Sequence, residues 1–117
     1  IIPGMVIDKD NNATLSYGVM GGQYQPVGQV HVLNNMIDYG MGPQEALSFP
    51  RAFHFNNIYK LEKTVDKEIF YGLKEVGHNV ENIDGTHGGG QAIKINRSEG
   101  DLLGGSDPRK DGYAKGY

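Results

Sequence analysis

Two adjacent glycines, Gly21 and Gly22, stand in the stretch SYGVMGGQYQPVGQV, between a strand-like segment and a helix-like one. Glycine loses more conformational freedom on folding than any other residue, so a pair at this place suggests a need for bare backbone. Two successive backbone N–H groups without side chains form a concave site for an anion. Beside a nucleophile, such a site would stabilise the oxyanion of acyl transfer, with roughly 3–4 kcal/mol from each donor. A tight turn whose glycines allow close helix packing is the alternative interpretation.

The elements that must position this pair are a hairpin before it and a helix after it. Two short strands across the polar turn 8–12 predict a β-hairpin over residues 5–19. Apolar residues at i, i+3, i+6 and i+7 predict a helix over 28–39; they are Val30, Leu33, Met36 and Ile37. Gly40 is expected to end that helix in the left-handed conformation.

The rest of the chain predicts short strands and two further helices. Helices are expected over 44–49 and 66–76, and strands over 52–55, 59–61, 78–83, 91–95 and 101–104. The tail 107–117 is polar and is expected to be irregular. Strands and helices cluster instead of alternating strictly, which indicates an α+β fold, and the length fits a single domain spanning residues 1–117.

Composition excludes several classes of function. The 117 residues include 11 Lys and Arg and 14 Asp and Glu, for a formal net charge of −3, without the clustered basic residues of a nucleic-acid-binding protein. No apolar run approaches the roughly 20 residues that span a bilayer. Cysteine is absent, so a thiol nucleophile is excluded and the compartment, periplasmic, extracellular or cytoplasmic, stays open. A start at Ile1-Ile2-Pro3 without Met or a signal-like segment suggests a fragment or a processed subunit.

Other chemistry-bearing patterns have simpler explanations. Asp8, Asp10 and Asn12 match the first ligands of a calcium loop, but Ala13 and Val19 stand where glycine and glutamate are required, so a polar hairpin turn is the better interpretation. The G-x-x-G-G spacing differs from the dinucleotide fingerprint G-x-G-x-x-G. The four histidines lack metal-ligand spacing. We therefore predict neither a metal nor a cofactor.

The segment 87–90, HGGG, resembles the oxyanion loop of lipases and esterases. That loop works with a serine on a G-x-S-x-G elbow, which is absent from this sequence. We interpret residues 87–90 as a flexible loop that joins two strands.

Eight short blocks together resemble the small, C-terminal subunit of the γ-glutamyltransferase (γ-glutamyltranspeptidase) family. They are GVMGG at 18–22, VLNNMIDYGM at 32–41, QEA at 44–46, PR at 50–51, LE at 61–62, GHNV at 77–80, QAI at 91–93 and GSDPR at 105–109. The blocks follow the family's order and cover nearly the whole chain.

The resemblance implies a fold and an activity. The fold would be part of the four-layer αββα sandwich of N-terminal-nucleophile hydrolases, with antiparallel strands and helices on one face. In this family a precursor cleaves itself and exposes a threonine, whose own α-amine serves as base when it attacks a γ-glutamyl amide. The acyl group then passes to water or to an amine. The family's oxyanion glycines correspond to Gly21 and Gly22.

The resemblance also implies that part of the machinery lies elsewhere. Thr14, Thr64 and Thr86 are internal and none has the family's threonine context. The expected partners are therefore the remainder of the small subunit, the large subunit of the same precursor and a γ-glutamyl small molecule or peptide. The chain alone is expected to be inactive. A non-catalytic structural or binding module derived from the same fold is the alternative.

Some positions are expected to differ from the family or to serve structure only. Val19-Met20 stands where many members have Ser-Pro, which argues against glutathione as the donor and leaves another γ-glutamyl or acyl amide open. Arg51 and Arg109 are expected to pair with carboxylates or cap helix carbonyls, and Glu62 is expected to anchor a loop by accepting backbone hydrogen bonds.

Overall fold

The computed structural model describes residues 2–117. The strands are β1 (Ile2–Ile7), β2 (Ala13–Met20), β3 (Ala52–Phe55), β4 (Ile58–Glu62), β5 (Val80–Ile83), β6 (Gly89–Asn96) and β7 (Asp101–Ser106). The α-helices are α1 (Gln25–Ile37), α2 (Pro43–Ser48) and α3 (Lys67–Glu75), and a 3-10 helix spans Gly22–Tyr24. The chain divides into two compact units, one formed by the chain up to Phe49 together with Gly88–Tyr117, the other by Pro50–His87.

The first unit is built on a four-stranded antiparallel sheet in the order β1-β2-β6-β7. The hairpin predicted over 5–19 is confirmed, with longer strands than expected. Its turn is polar, as predicted: the Asp8 carboxylate accepts the backbone amides of Asp10 at 2.9 Å and Asn12 at 2.8 Å. Because the Asn12 amide stabilises the charged carboxylate, the pKa of Asp8 lies below its ordinary value.

Helices α1 and α2 pack against one face of this sheet. Alternate residues of the central strands point toward the helices and are buried, among them Leu15, Val19 and Ala92. They meet Val32 of α1 and Leu47 of α2, both fully buried. This layer of apolar side chains is the core of the first unit, and it agrees with the expected α+β arrangement of helices on one face.

The buried face of α1 differs from the one that its apolar spacing suggests. Val30 and Ile37 are 57% and 62% exposed. The buried positions are instead Gly28, Gln29, Val32 and Asn35. A glycine brings the helix backbone close to the sheet. The Gln29 side-chain nitrogen donates to the Ile2 carbonyl at the edge strand, whereas its Oε1 atom is buried without a hydrogen-bond partner among residues 2–117.

The opposite face of the sheet is open. Met5, Ser16, Ile93 and Gly104 form one cross-strand row on it, because directly paired residues share a face. Its exposed apolar side chains are those of Met5, Met20, Ile93 and Leu102, between 41% and 67% accessible. We call this surface the open sheet face.

The second unit, Pro50–His87, is a three-stranded sheet in the order β3-β4-β5 with one helix. β3 and β4 are antiparallel, whereas β4 and β5 are parallel and are connected through α3. The prediction of antiparallel strands therefore fails for this one pair, because a helix of nine residues gives the chain room to return in the same direction. The Asp66 side chain caps α3 by accepting the Glu68 amide at 2.8 Å.

No helix within residues 2–117 combines the length and apolar character needed to cross a membrane. In the same part of the chain, no cluster of three or more histidine or acidic side chains is placed to hold a metal ion. The tail beyond Asp107 forms turns and irregular backbone, as expected.

Alanine is expected to have opposite effects on stability at two glycines that lie in helices. A Cβ at Gly28 would lie 2.6 Å from the Tyr24 ring and 2.7 Å from a Val19 methyl, whereas a Cβ at Gly72 of α3 meets nothing within 4 Å. Gly28→Ala should lower the free energy of unfolding by about 1–3 kcal/mol, because the added methyl group overpacks the site. Gly72→Ala should raise the free energy of unfolding by roughly 0.5–1 kcal/mol. Thermal unfolding of the two variants measures both, and a stabilised Gly28→Ala protein would contradict the packing of α1.

Candidate functional site

Gly21 and Gly22 form the turn between β2 and the helical segment that follows. β2 ends at Met20, and Gly22 is the first residue of the 3-10 helix, which continues directly into α1 at Gln25. Their φ angles are 141° and 58°, both in the region that L side chains rarely adopt. The backbone conformation therefore favours glycine at both positions.

The two glycines use their carbonyls inside the turn. The Gly21 carbonyl accepts the Tyr24 amide at 3.1 Å. The Gly22 carbonyl accepts the backbone amide and, at 3.1 Å, the side-chain amide of Gln25. Among the loop and turn hydrogen bonds of residues 2–117, neither the Gly21 nor the Gly22 amide is a donor. The Gly22 amide opens a helix, where the first N–H groups have no partner within the helix.

Close backbone contact supports the turn from one side. A Cβ at Gly21 would lie 2.8 Å from the Cα of Gly88 and 3.5 Å from the Tyr24 Cβ. The Tyr24 ring is buried and also limits the space at Gly28 and Gly88. Gly22 is exposed, and a Cβ there would meet nothing within 4 Å. One glycine is thus packed and the other is open.

The segment 87–90 is only partly the loop between two strands that was predicted: His87 and Gly88 lie in the connection from β5 to β6. Gly89 and Gly90 begin β6 and are buried. A Cβ at Gly90 would lie 2.7 Å from a Leu47 methyl, so α2 approaches the strand where it has no side chain. The prediction was wrong for Gly89 and Gly90, because glycine carries no side-chain periodicity from which a strand can be recognised.

A shallow groove of about 350 Å³ lies beside the glycine turn on the open sheet face. Residues that line it include Pro3, Tyr17, Gly18, Met20, Gln91 and Lys110. Burial raises the pKa of Tyr17 above its ordinary value. The groove offers a largely apolar floor with one ammonium group near its wall.

A buried acid fixes the strand that follows Gly88. The Gly90 amide donates to Asp107 Oδ2 at 2.9 Å, and the Arg109 amide donates to Asp107 Oδ1 at 3.0 Å. The Arg109 guanidinium donates to the carbonyls of Leu47 and Phe49, each at 2.9 Å, and pairs with Asp107 at 3.2 Å. Both structural roles considered for Arg109, carboxylate pairing and helix capping, are confirmed.

In the second unit, Glu62 anchors the backbone, as predicted. Its carboxylate accepts the Arg51 amide at 3.0 Å and the His87 amide at 2.8 Å. The Arg51 guanidinium donates to the His87 carbonyl at 2.8 Å, a structural contact with a loop carbonyl and not with a helix end. The His87 ring contacts the Lys60 carbonyl at 2.8 Å through Nε2, which requires a proton on that nitrogen.

The structure adds residues that the sequence reasoning missed. Tyr24 and Gly88 lie against Gly21, and Asp107 holds the amide of Gly90. Gly88 and Asp107 belong to motifs that were recognised, but only their spatial contact with other segments indicates what they do.

The hydroxyl of Thr14 donates to the Val6 carbonyl within the hairpin at 3.2 Å.

Comparison with known protein families shows to which family this chain belongs. The family model described as Gamma-glutamyltranspeptidase matches residues 1–117. The chain belongs to the gamma-glutamyltranspeptidase family. Its fold is accordingly that of the N-terminal-nucleophile hydrolases, as the resemblance of the sequence blocks implied.

Individual members of the gamma-glutamyltranspeptidase family and its structural neighbours show how much of a protein this chain represents. The glutathione hydrolase-like YwrD proenzyme of Bacillus subtilis (strain 168) is 38% identical over 99% of this chain and 23% of its own length. The oxamate amidohydrolase proenzyme of Klebsiella pneumoniae is 34% identical over 92% of this chain and 22% of its own length.

A solved structure gives the same proportion. Cephalosporin acylase from Bacillus halodurans matches all of this chain and 23% of its own, with 36% identity and a TM-score of 0.91. The chain therefore spans between a fifth and a quarter of these relatives, two of which are proenzymes by name.

The buried acid yields a stability prediction. Asp107→Asn places an amide group where the carboxylate accepts the Gly90 amide or the Arg109 groups, so one buried donor loses its partner. We expect a loss of about 1–3 kcal/mol in the free energy of unfolding. Asp111→Asn, at an exposed tail position, is the control and should change it by less than about 0.5 kcal/mol. Denaturant unfolding compares them; equal stability of the two variants would contradict the anchoring role.

Proposed function

We propose that this chain supplies the oxyanion-binding amides of an N-terminal-threonine enzyme that cleaves γ-glutamyl or related acyl amides. Gly21 and Gly22 are the proposed donors. The nucleophilic threonine belongs to another part of the complete protein. The acyl group passes from the threonine to water or to an amine, and the chain by itself is inactive.

The observation that carries the proposal is the pair of amides at the start of a helical segment. The carbonyls of Gly21 and Gly22 are engaged within the turn, whereas their amides take no part in its loop hydrogen bonds. The partial positive charge of a helix N-terminus adds to these donors. Negative charge that develops on a carbonyl oxygen is stabilised most when donors are already oriented before the reaction begins.

Bare backbone is needed for contact with a tetrahedral intermediate. The donors must come within about 2.7–3.1 Å of the developing oxyanion. Exposure of Gly22 leaves its surroundings free for a substrate carbonyl delivered from outside this chain. Gly21 is packed on Gly88, which holds its peptide in place.

The names of the relatives support an amide or other acyl compound as the substrate class and do not identify a single substrate. Their names describe a glutathione hydrolase-like protein, an oxamate amidohydrolase and a cephalosporin acylase. Attack on a carbonyl and collapse of an oxyanion are common to hydrolysis and transfer of acyl groups. Gly21 and Gly22 would serve that shared step whichever donor the complete enzyme uses.

Alanine at the exposed glycine tests the proposal. Gly22 and Gly40 both have positive φ, 58° and 69°, and both have empty space at the Cβ position. Relief of the left-handed strain at Gly22→Ala rotates the peptide that bears the proposed donor. In the complete, processed enzyme we expect kcat to fall roughly 10–100-fold, less than the cost of about 10²–10³-fold for removing an oxyanion donor, because the amide is rotated and not removed.

Gly40→Ala imposes the same backbone strain at the end of α1 and is the matched control. It should leave kcat within about twofold of the parent enzyme. Steady-state kinetics with a panel of γ-glutamyl and other acyl amides gives both values. A Gly22→Ala enzyme as active as the Gly40→Ala enzyme would exclude the oxyanion role and favour the non-catalytic module.

We also infer that the open sheet face is covered by the remainder of the same precursor. The relatives are four to five times as long as this chain, and the face carries exposed Met5, Met20, Ile93 and Leu102. Apolar area of this kind on a protein surface marks a contact site. The remainder of the small subunit and the large subunit are the proposed partners.

Because its open sheet face would be uncovered, the isolated 117-residue chain is expected to self-associate. Ile93→Lys places a charge in the middle of that face and should shift the chain toward monomer in sedimentation velocity. Ser98→Lys adds the same charge in the exposed β6–β7 turn and is the control; it should leave association unchanged. A monomeric parent chain with an ordinary cooperative unfolding transition would contradict the inference.

A further inference from the structure

The residue that stands behind the proposed oxyanion turn is Gly88. It lies immediately before β6, with φ of 60°, and no catalytic role follows from its motif. A Cβ built on Gly88 would collide with the carbonyl oxygen of Met20 and would lie 2.9 Å from the Tyr24 ring. The Met20 carbonyl and the Gly21 amide belong to the same peptide group.

A peptide group moves as a unit, because the C–N bond has partial double-bond character. Any displacement of the Met20 oxygen therefore tilts the Gly21 N–H at the other end of the same plane. We infer that Gly88 is a positioning residue: its bare Cα fixes the orientation of the Met20–Gly21 peptide and hence of the first proposed oxyanion donor. The inference rests on the proposed oxyanion function of Gly21.

The contact is reciprocal, which makes the orientation well defined. A Cβ on Gly21 would lie 2.8 Å from the Gly88 Cα, so neither residue can carry a side chain without moving the other. Tyr24 closes the remaining space and donates its amide to the Gly21 carbonyl. The Gly90 amide, two residues beyond Gly88, is held by buried Asp107. The support behind Gly21 is therefore anchored and does not yield easily.

The test uses Gly88→Ala in the complete, processed enzyme. The added methyl should tilt the Gly21 amide away from the oxyanion and lower kcat by about tenfold or more. KM should stay within about twofold, since the group acts on the transition state more than on substrate binding. Gly88→Asn carries the same Cβ with a residue that tolerates positive φ, and it should give the same split between kcat and KM.

Two controls separate positioning from general damage. Gly100→Ala introduces positive-φ strain, at φ 75°, in open space of the β6–β7 turn. Gly105→Ala creates a backbone clash elsewhere in the same unit, because its Cβ would lie 2.8 Å from the Gln44 nitrogen and from the Pro43 carbonyl carbon. Gly105→Ala should lower the thermal midpoint but leave kcat unchanged, whereas Gly88→Ala should lower kcat.

The outcomes distinguish this inference from the proposed function. If Gly22→Ala lowers kcat while Gly88→Ala behaves like Gly105→Ala, the positioning role is overturned and the oxyanion role of the glycine pair stands. If neither Gly22→Ala nor Gly88→Ala affects kcat, the proposed function fails and this inference fails with it. Loss of folded, processed enzyme in both Gly88 variants would also overturn it, since Gly88 would then serve folding alone.

Discussion

The close approach of two backbones, at Gly21 and Gly88, is the constraint on which the site depends. With a Cβ at Gly21 only 2.8 Å from the Gly88 Cα, the end of β2 and the start of β6 meet without an intervening side chain. The same contact limits how the Met20–Gly21 peptide can rotate. An oxyanion donor is most effective when it is oriented in advance, and under the proposed function these neighbours would supply that orientation to the Gly21 amide.

Several anchors hold this contact. Tyr24 fills the space beside both glycines, and Gly28 lets α1 pack on the Tyr24 ring. Asp107 holds the Gly90 amide, and Arg109 links Asp107 to the carbonyls at the end of α2. Buried charges of this kind are tolerated because hydrogen bonds replace the water that they lose. Residues of the sheet, of α1 and of the segment after β7 thus support the contact between Gly21 and Gly88.

Part of this organisation follows from local sequence. The hairpin over 5–19, the helices near 28–39 and 66–76 and the glycine turn are local patterns, and their outcome agrees with the structure apart from the ends of the elements. The buried face of α1 does not follow from local pattern, because Gly28, Gln29 and Asn35 are buried while Val30 is exposed. Close packing at Gly28 and the hydrogen bond from the Gln29 side chain to the Ile2 carbonyl outweighed apolar periodicity there. The glycine run at 88–90 likewise gave no sign that Gly89 and Gly90 begin a strand.

The sequence by itself determined the family and the α+β class and predicted a turn at Gly21 and Gly22, because motif order, periodicity and glycine pairs can be recognised locally. Tertiary structure alone decided which segments lie behind those glycines. Gly88 is 67 residues from Gly21 in sequence, and their contact arises only when β2 and β6 pair and the Tyr24 ring packs beneath them. Contacts between distant segments depend on the packing of the whole sheet, so local pattern cannot specify them.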